Sequence, residues 1–311
     1  MQPAYDVLSY GTIGLDNIIR VPHLPRPDIS THALDVSQHL GGKATNTAVY
    51  LSTWGLKVAL SGTVLGDDAT GDRVLEMLAR YPGISTRYLS RQPGLQSMYC
   101  DILLTPDGER AIIGIHTEGK PQTPPTREMI LDARLLTLDL YGGEERVEAA
   151  RLAREAGRPV VVGDLRRPDH PVLPCADVVI ASAAEVRSYG SGLSLEEFAR
   201  EAQAHGARGV IITGGAGDVL VFEPERPLIA ITPPSVQVVD TTGAGDAFRA
   251  GVAYGVLQGW GLVECAAMGA AAGSLKVSRT GATSDPPTLE EVLRLARRLP
   301  RRRPESGSDL R

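Results

Sequence analysis

From about residue 125 onward, short apolar runs alternate with polar stretches of helical length. The spacing predicts a helix over 125–133 and a strand over 134–140, then a helix over 144–156 and a strand over Pro159–Val162. A further strand, Asp177–Ile180, precedes helices at 183–189 and 194–205, and the strand Gly209–Thr213 follows. Short strands that are apolar throughout, with a helix between each pair, are buried on both faces. They describe βαβ units and a parallel sheet, which excludes all-α and all-β folds. Val219–Phe222 and Leu228–Ile231 read as an edge hairpin, and helices at 246–258, 262–275 and 288–298 close the fold.

The first third has a different texture. Tyr5–Tyr10 is a strand, and Gly11–Arg20 mixes Gly, Asp and apolar residues as a strand end at a ligand would. Pro22, Pro25 and Pro27 make Val21–Ser30 a loop. His32–Leu40 alternates partly, as a short strand does, until Gly41 and Gly42 break it. Lys43–Trp54 is a helix with Ala44, Ala48, Leu51 and Trp54 on one face. Val58–Val64 is a strand, and Asp68–Arg80 a helix with the stripe Val74, Leu75 and Leu78. Ser97–Leu104 and Arg110–Ile115 are β-rich, and Pro106-Asp107-Gly108 between them signals a hairpin. These β segments, at about 9–40 and 95–116, interrupt the α/β pattern. The fold expected is α/β: a doubly wound, mostly parallel sheet flanked by helices, with a small β-sheet lid over its ligand edge. One domain spans 1–300, the lid is inserted in it, and 301–311 is a disordered tail.

Composition narrows the functional classes. No apolar run approaches the roughly 18 residues of a membrane span. The first residues lack a basic segment followed by an apolar run, so no secretory signal is expected. Cys100, Cys175 and Cys265 are scattered, without a Cys-x-x-Cys pair, which predicts free thiols, no zinc site and a cytoplasmic setting. With 37 acidic and 32 basic residues the formal charge is −5, so nothing draws the chain globally to nucleic acid or anionic lipid. The Arg297–Arg303 run is short, terminal and without aromatic partners, and reads as a solvated tail.

The chemistry concentrates in Asp240-Thr241-Thr242-Gly243-Ala244-Gly245-Asp246-Ala247-Phe248. It follows a β segment and leads into an amphipathic helix over Ala247–Leu257. Gly243 and Gly245 let the backbone turn tightly and approach an anion. The helix behind them offers unpaired N–H groups and the positive end of its dipole. Such donors stabilise a phosphate, or the charge that develops as one is transferred. Asp246 stands at the mouth of this site, where a carboxylate can take the proton of an attacking hydroxyl. A plain turn with Asp246 as N-cap is the alternative for an isolated Gly-x-Gly-Asp. Other phosphate motifs fail. Ser37 and Ala44 break a Walker A reading at Gly42-Lys43, and Phe248 stands where a dinucleotide fingerprint needs its third glycine.

Together with Gly41-Gly42-Lys43-Ala44-Thr45-Asn46-Thr47-Ala48, this nonapeptide resembles the paired signatures of the ribokinase-like, or PfkB-type, carbohydrate kinases. The order and spacing are similar over about residues 5 to 300. The resemblance implies an ATP-dependent kinase that phosphorylates a hydroxymethyl group on a sugar or sugar-like molecule. It implies Asp246 as catalytic base, with Gly243, Ala244 and Gly245 as anion hole. Asp16, Gly41, Gly42, Lys43 and Asn46 match substrate-binding positions, and Asp139 resembles an acid set beneath the lid. Thr213, Gly215 and Gly217 resemble the nucleotide loop, although Asp218 replaces its final glycine. Ser182 and Glu185 fall on an Asn-x-x-Glu motif that arranges Mg²⁺ and phosphate, with Ser182 in place of asparagine. Asp240 and Thr242, with carbonyls near Ser278 and Gly281, match a K⁺ site of some members. The sequence leaves that site open against a simple adenine-side loop. Ala247-Phe248-Arg249-Ala250-Gly251 resembles some bacterial adenosine kinases, so a nucleoside kinase stays open as a second reading. An idle ligand-binding protein on this scaffold is a third, given Ser182 and Asp218. A homodimer through the lid is the implied assembly.

Overall fold

Tyr5–Gly11 forms the strand β1, around which the main sheet is wound. The computed structural model describes residues 2–189 and 192–304. After β1 come β2 (Gly14–Arg20), β3 (Asp35–Gly41), α1 (Lys43–Thr53), β4 (Val58–Gly62), β5 (Leu65–Gly66) and α2 (Ala69–Leu78). The short strands β6 (Ile84–Ser85) and β7 (Arg91–Gln92) precede β8 (Tyr99–Leu104) and β9 (Arg110–Ile115). Then follow α3 (Arg127–Leu131), β10 (Ala133–Leu138), α4 (Glu144–Glu155), β11 (Val160–Val162), β12 (Val178–Ser182), α5 (Ala183–Ser188), α6 (Leu195–Ala204) and β13 (Gly209–Thr213). The chain ends with β14 (Val219–Phe222), β15 (Ile229–Ile231), α7 (Ala244–Leu257), α8 (Leu262–Val277), α9 (Leu289–Ala296) and β16 (Arg301–Arg302).

Among the described residues ten strands make the main sheet, in the order β16-β15-β14-β13-β12-β11-β10-β1-β4-β6. It is parallel from β13 to β6, and β14, β15 and β16 extend it antiparallel. The parallel strands carry the periodicity of their two neighbours. Val161 and Ile211 face one core, while Val160, Val162, Val210 and Ile212 face the other. Each such side chain contributes about 1.5–3 kcal/mol by its burial. The winding reverses at β1: β4 and β6 lie to one side and β10 to β13 to the other. In an open α/β sheet, ligands bind outside the carboxyl ends of the strands at such a reversal.

The lid is a separate sheet in the order β3-β2-β8-β9, built from two insertions, β2–β3 after β1 and β8–β9 after β7. Its β8–β9 hairpin turns through Pro106-Asp107-Gly108, as the sequence predicts. The fold expectation holds, with three corrections. Arg301–Arg302 is not tail but the edge strand β16, pinned by an ion pair from Arg302 to Asp218 at 2.5 Å. Charged side chains are common on edge strands, which hides such a strand in sequence. Residues 305–311 of the expected tail lie outside the described residues. In α2, Met77 is buried and Leu75 only half so. Nor is α7 amphipathic: it is buried from Asp246 to Ala253 between the sheet, α1 and α8. Small residues allow this. A Cβ on Gly251 would stand 2.7 Å from the Gly269 nitrogen of α8, so the two backbones touch there. No helix among the described residues is long and apolar enough to cross a membrane.

Candidate active site

The site is built at the carboxyl ends of the parallel strands, and β1 begins the construction. Thr12, just past β1, is fixed by Asp139, just past β10. The Asp139 carboxylate accepts hydrogen bonds from the Thr12 amide (2.7 Å) and hydroxyl (3.1 Å). Thr12 in turn accepts from the first amides of α1: Lys43 N reaches its hydroxyl at 2.9 Å and Ala44 N its carbonyl at 3.1 Å. Gly42 makes this junction with φ 88°, a conformation in which a side chain would strike the Thr12 carbonyl. Gly41 is equally constrained, because a Cβ there would stand 2.7 Å from Asp16 Cγ.

This strap sets Asn46 one turn into α1. Its Nδ2 donates to Asp246 Oδ2 at 2.8 Å. Its Oδ1 is buried without a partner. Asp246 lies in the first turn of α7, behind Gly243 at φ 78°. A cavity of about 1080 Å³ opens between this point and the lid, lined among others by Asp16, Gly42, Lys43, Asn46, Arg110 and Gly243. A second space of about 60 Å³ lies on the other side, lined by Asp164, Ser182, Thr213, Gly245 and Arg249. The two meet at Asp246 and Glu185, which line both. The first four N–H groups of α7 have no helical partner. Of these, Ala244 N turns to the Thr241 carbonyl at 3.3 Å, and Ala244 lines neither space.

Charge is dense here. Burial pushes the Asp246 carboxyl up, and Lys43, Arg249 and the Asn46 bond pull it back only in part. Asp16 is pushed up to about 7, first by burial and then by Asp246. Lys43 pairs with Asp164 at 2.7 Å. Burial would lower its ammonium pKa, but Asp164 and Asp246 outweigh this and raise it. Arg249 is almost fully buried; it donates to the Lys43 carbonyl at 2.6 Å and sits 3.9 Å from Asp246. From the lid, Arg110 donates to the Thr242 hydroxyl at 3.1 Å.

The predicted residues separate on this frame. Asp16, Gly42, Lys43, Asn46, Gly243 and Asp246 line the large cavity. Gly41 supports Asp16 from behind. Asp139 is a correction: it is fully buried below the floor, bonded to Thr12 and, at 3.1 Å, to the Tyr141 amide, with Arg146 at 3.5 Å. Burial alone would raise its pKa, but Arg146, Arg249 and the Thr12 amide hold it below the usual carboxylate range. It positions the strap and does not touch the cavity.

Thr213 to Gly217 is the turn of the β13–β14 hairpin, closed by Gly217 N on the Gly214 carbonyl at 3.0 Å. Gly214, Gly217 and Asp218 line a further cavity of about 370 Å³ beside Arg187 and Leu195, whereas Gly215 sits at the tip with φ 67°. The departure at Asp218 has a structural cause: its carboxylate holds Arg302 and the Thr232 hydroxyl, the latter at 2.7 Å. Ser182 stands at the N-cap of α5 without a side-chain capping bond. Glu185 pairs with Arg166 at 3.1 Å. Among the described residues no group of three or more His, Cys, Asp or Glu side chains could cage a metal.

Asp240 is buried, its carboxylate bonded to the amides of Thr242 and Gly281, both at 2.8 Å. These bonds, with Lys276, overcome the burial that would raise its pKa and hold it low. The neighbouring cation is the ammonium of Lys276, which burial pulls down to about 8. All three cysteines are free. The sequence reading missed Thr12, Asp164, Arg110 and Lys276. Thr12 and Asp164 had a usable signal, since both lie just beyond the carboxyl end of a parallel strand.

Comparison with known proteins gives the family. The chain matches the pfkB family carbohydrate kinases over residues 5–289. It is 28% identical to a ribokinase of Arabidopsis thaliana over 92% of this chain and 79% of that one. It is 30% identical to an aminoimidazole riboside kinase of Salmonella typhimurium, over 81% of this chain and 86% of the other. The solved structure of Arabidopsis thaliana ribokinase complexed with ribose and ATP superposes with a TM-score of 0.79 at 24% identity, covering 95% of this chain and 99% of that one. The chain belongs to the pfkB family of carbohydrate kinases and is an ATP-dependent kinase of that family.

Proposed function

We propose that this kinase transfers a phosphoryl group from ATP to a hydroxymethyl group of a sugar or sugar-like acceptor, with Asp246 as general base. One observation carries this reading: the Asp246 carboxylate stands where the lid-covered cavity meets the space at the start of α7. An acceptor hydroxyl in the first space and a phosphate in the second would meet at that carboxylate. Asn46 fixes one carboxylate oxygen. Burial raises the proton affinity of the group, as a base operating near neutral pH requires.

Asp16 lines the cavity and is the acceptor placed for substrate hydroxyl groups. The amides of Gly243 and Gly245 face the transferring charge from the two sides. Ser182 and Thr213 lie on the nucleotide side, Glu185 stands at the junction, and Gly217 lines the further cavity, which would take the adenine. Mg²⁺, when bound, spreads the charge of the phosphates. Arg110 ties the closed lid to the loop, and closure excludes water.

Asp16 is the acceptor-binding group with the clearest signature. Asp16→Ala raises KM for the acceptor by about 10–100-fold, the worth of a charge-assisted hydrogen bond. The ionised form accepts the bonds. The native enzyme therefore loses acceptor affinity as pH falls through about 7, and Asp16→Asn flattens that dependence. An unchanged KM in steady-state assays of Asp16→Ala removes this role.

A riboside acceptor is the second reading, favoured by the size of the cavity and by Met98, Cys100, Ile102 and Ile112 on its lid side. A thermal-shift panel of free sugars, sugar acids, sugar phosphates and nucleosides distinguishes the two. The far face of the lid supports a homodimer. Val36 and Ile113 are exposed there beside the half-buried Ile19 and Leu103, and the strand register places all four on the face turned from the cavity. Ile113→Asp is expected to give a monomer by sedimentation equilibrium. A native protein that is itself monomeric removes the dimer.

A further inference from the structure

Lys276 ends α8 with its side chain turned inward, and only 1% of it is exposed. A lysine is almost never buried unless it is paired. Its ammonium donates to the Asp240 carbonyl at 2.5 Å and to the Arg279 carbonyl at 3.0 Å. The Asp240 carboxylate lies 3.8 Å away. Two carbonyls and a carboxylate around one positive charge are the donor set of an alkali cation site. It is built from the loop that leads to Gly243 and from the segment after α8. The K⁺ site implied by the resemblance therefore does not fit this chain. The Asp240 carboxylate already has a positive partner, the Asp240 and Arg279 carbonyls of the same two loops are engaged, and a second cation would meet the ammonium.

We propose that Lys276 is a covalently attached replacement for the monovalent cation, so that this kinase works without K⁺. The ammonium ties Asp240 to Arg279, and Asp240 ties the Thr242 amide to the Gly281 amide. The loop carrying Gly243 is thereby held against Ala282, where a Gly243 Cβ would be only 2.9 Å from the Ala282 Cβ. The group acts through the loop and is a positioning residue. This inference rests on the reading that the Gly243 and Gly245 amides hold the transferring phosphoryl group.

The test compares K⁺ with tetramethylammonium at equal ionic strength. The native enzyme is expected to change turnover by less than about twofold, because a site already filled has no differential affinity to offer. Its melting temperature stays unchanged as well. Lys276→Ala empties the site. Its turnover falls by about 10²-fold when the preorganised loop relaxes. K⁺ or NH₄⁺ then raises its melting temperature and restores part of its turnover, by mass action on the folded state. Lys276→Met, which fills the space without charge, responds in neither readout. Several-fold activation of the native enzyme by K⁺ overturns the proposal. So does a folded Lys276→Ala that ignores K⁺ in both readouts. Should Lys276→Ala not fold, the native comparison decides alone. The melting measurements need no turnover, so a failure of the phosphoryl-transfer reading shows itself separately, as absent activity toward every acceptor.

Discussion

Asp246→Asn is expected to lower turnover by roughly 10²–10⁴-fold, the worth of one general base. The substitution keeps the shape of the side chain and an oxygen to accept from Asn46 Nδ2. It removes a carboxylate whose ionisation burial opposes. For a carboxyl raised in the folded state, ionisation costs stability as pH rises through the folded pKa. The variant is therefore at least as stable as the native protein at neutral pH, and it still binds nucleotide. The same shift predicts an acid limb. A base must be deprotonated, so native turnover declines with falling pH at values above the usual aspartate range near about 4. The residual activity of Asp246→Asn lacks that limb. ADP release followed from pH 5 to 9, beside thermal unfolding, measures both; near-native turnover in a folded variant removes Asp246 from the chemistry.

The parts of this site that a reader of the sequence can find are those encoded locally. The parallel strands announce themselves because a strand buried on both faces is apolar at every position, as Val160–Val162 is. Gly243, Gly245 and Asp246 lie within one turn of a helix start, so a short string of residues specifies their geometry. Long-range relations behave differently. Thr12 and Asp139 are 127 positions apart, and only the winding that places β1 beside β10 brings them together. Asp139 reads from sequence as a cavity residue because it follows a strand. Its neighbour Arg146, in the first turn of α4, is what draws it below the floor. Lys276 is hidden for another reason: at the end of a helix of mostly small residues it looks like an ordinary cation at a C-terminus. Its inward turn follows from Asp240, which arrives from the loop before α7. Helix α7 misleads similarly, since Ala and Gly give no hydrophobic stripe, yet their smallness is what lets α7 and α8 touch.

Gly245→Ala is expected to separate folding from chemistry more cleanly than any other change. The two glycines of the loop exist for different physical reasons. Gly243 has φ 78° and packs on Ala282, so a side chain there costs about 1–2 kcal/mol in backbone strain alone. Gly245 has neither constraint. It lies in the first turn of α7 without a positive φ, and a Cβ built on it meets no protein atom within 4 Å. By protein packing alone, alanine belongs there and would add about 0.5 kcal/mol of helix stability. Under the proposed mechanism this open space, beside the orphan amides of α7, belongs to the phosphate. A methyl group at 245 would hold a phosphate away from those amides. Turnover of Gly245→Ala then falls by about 10²–10³-fold, the worth of an oxyanion-type donor, while the melting temperature holds or rises. Gly243→Ala loses both activity and stability. The pair is read by thermal unfolding and by ADP release with saturating acceptor. A stable Gly245→Ala enzyme with near-native turnover would make the loop a plain helix start, and the phosphate would have to bind elsewhere.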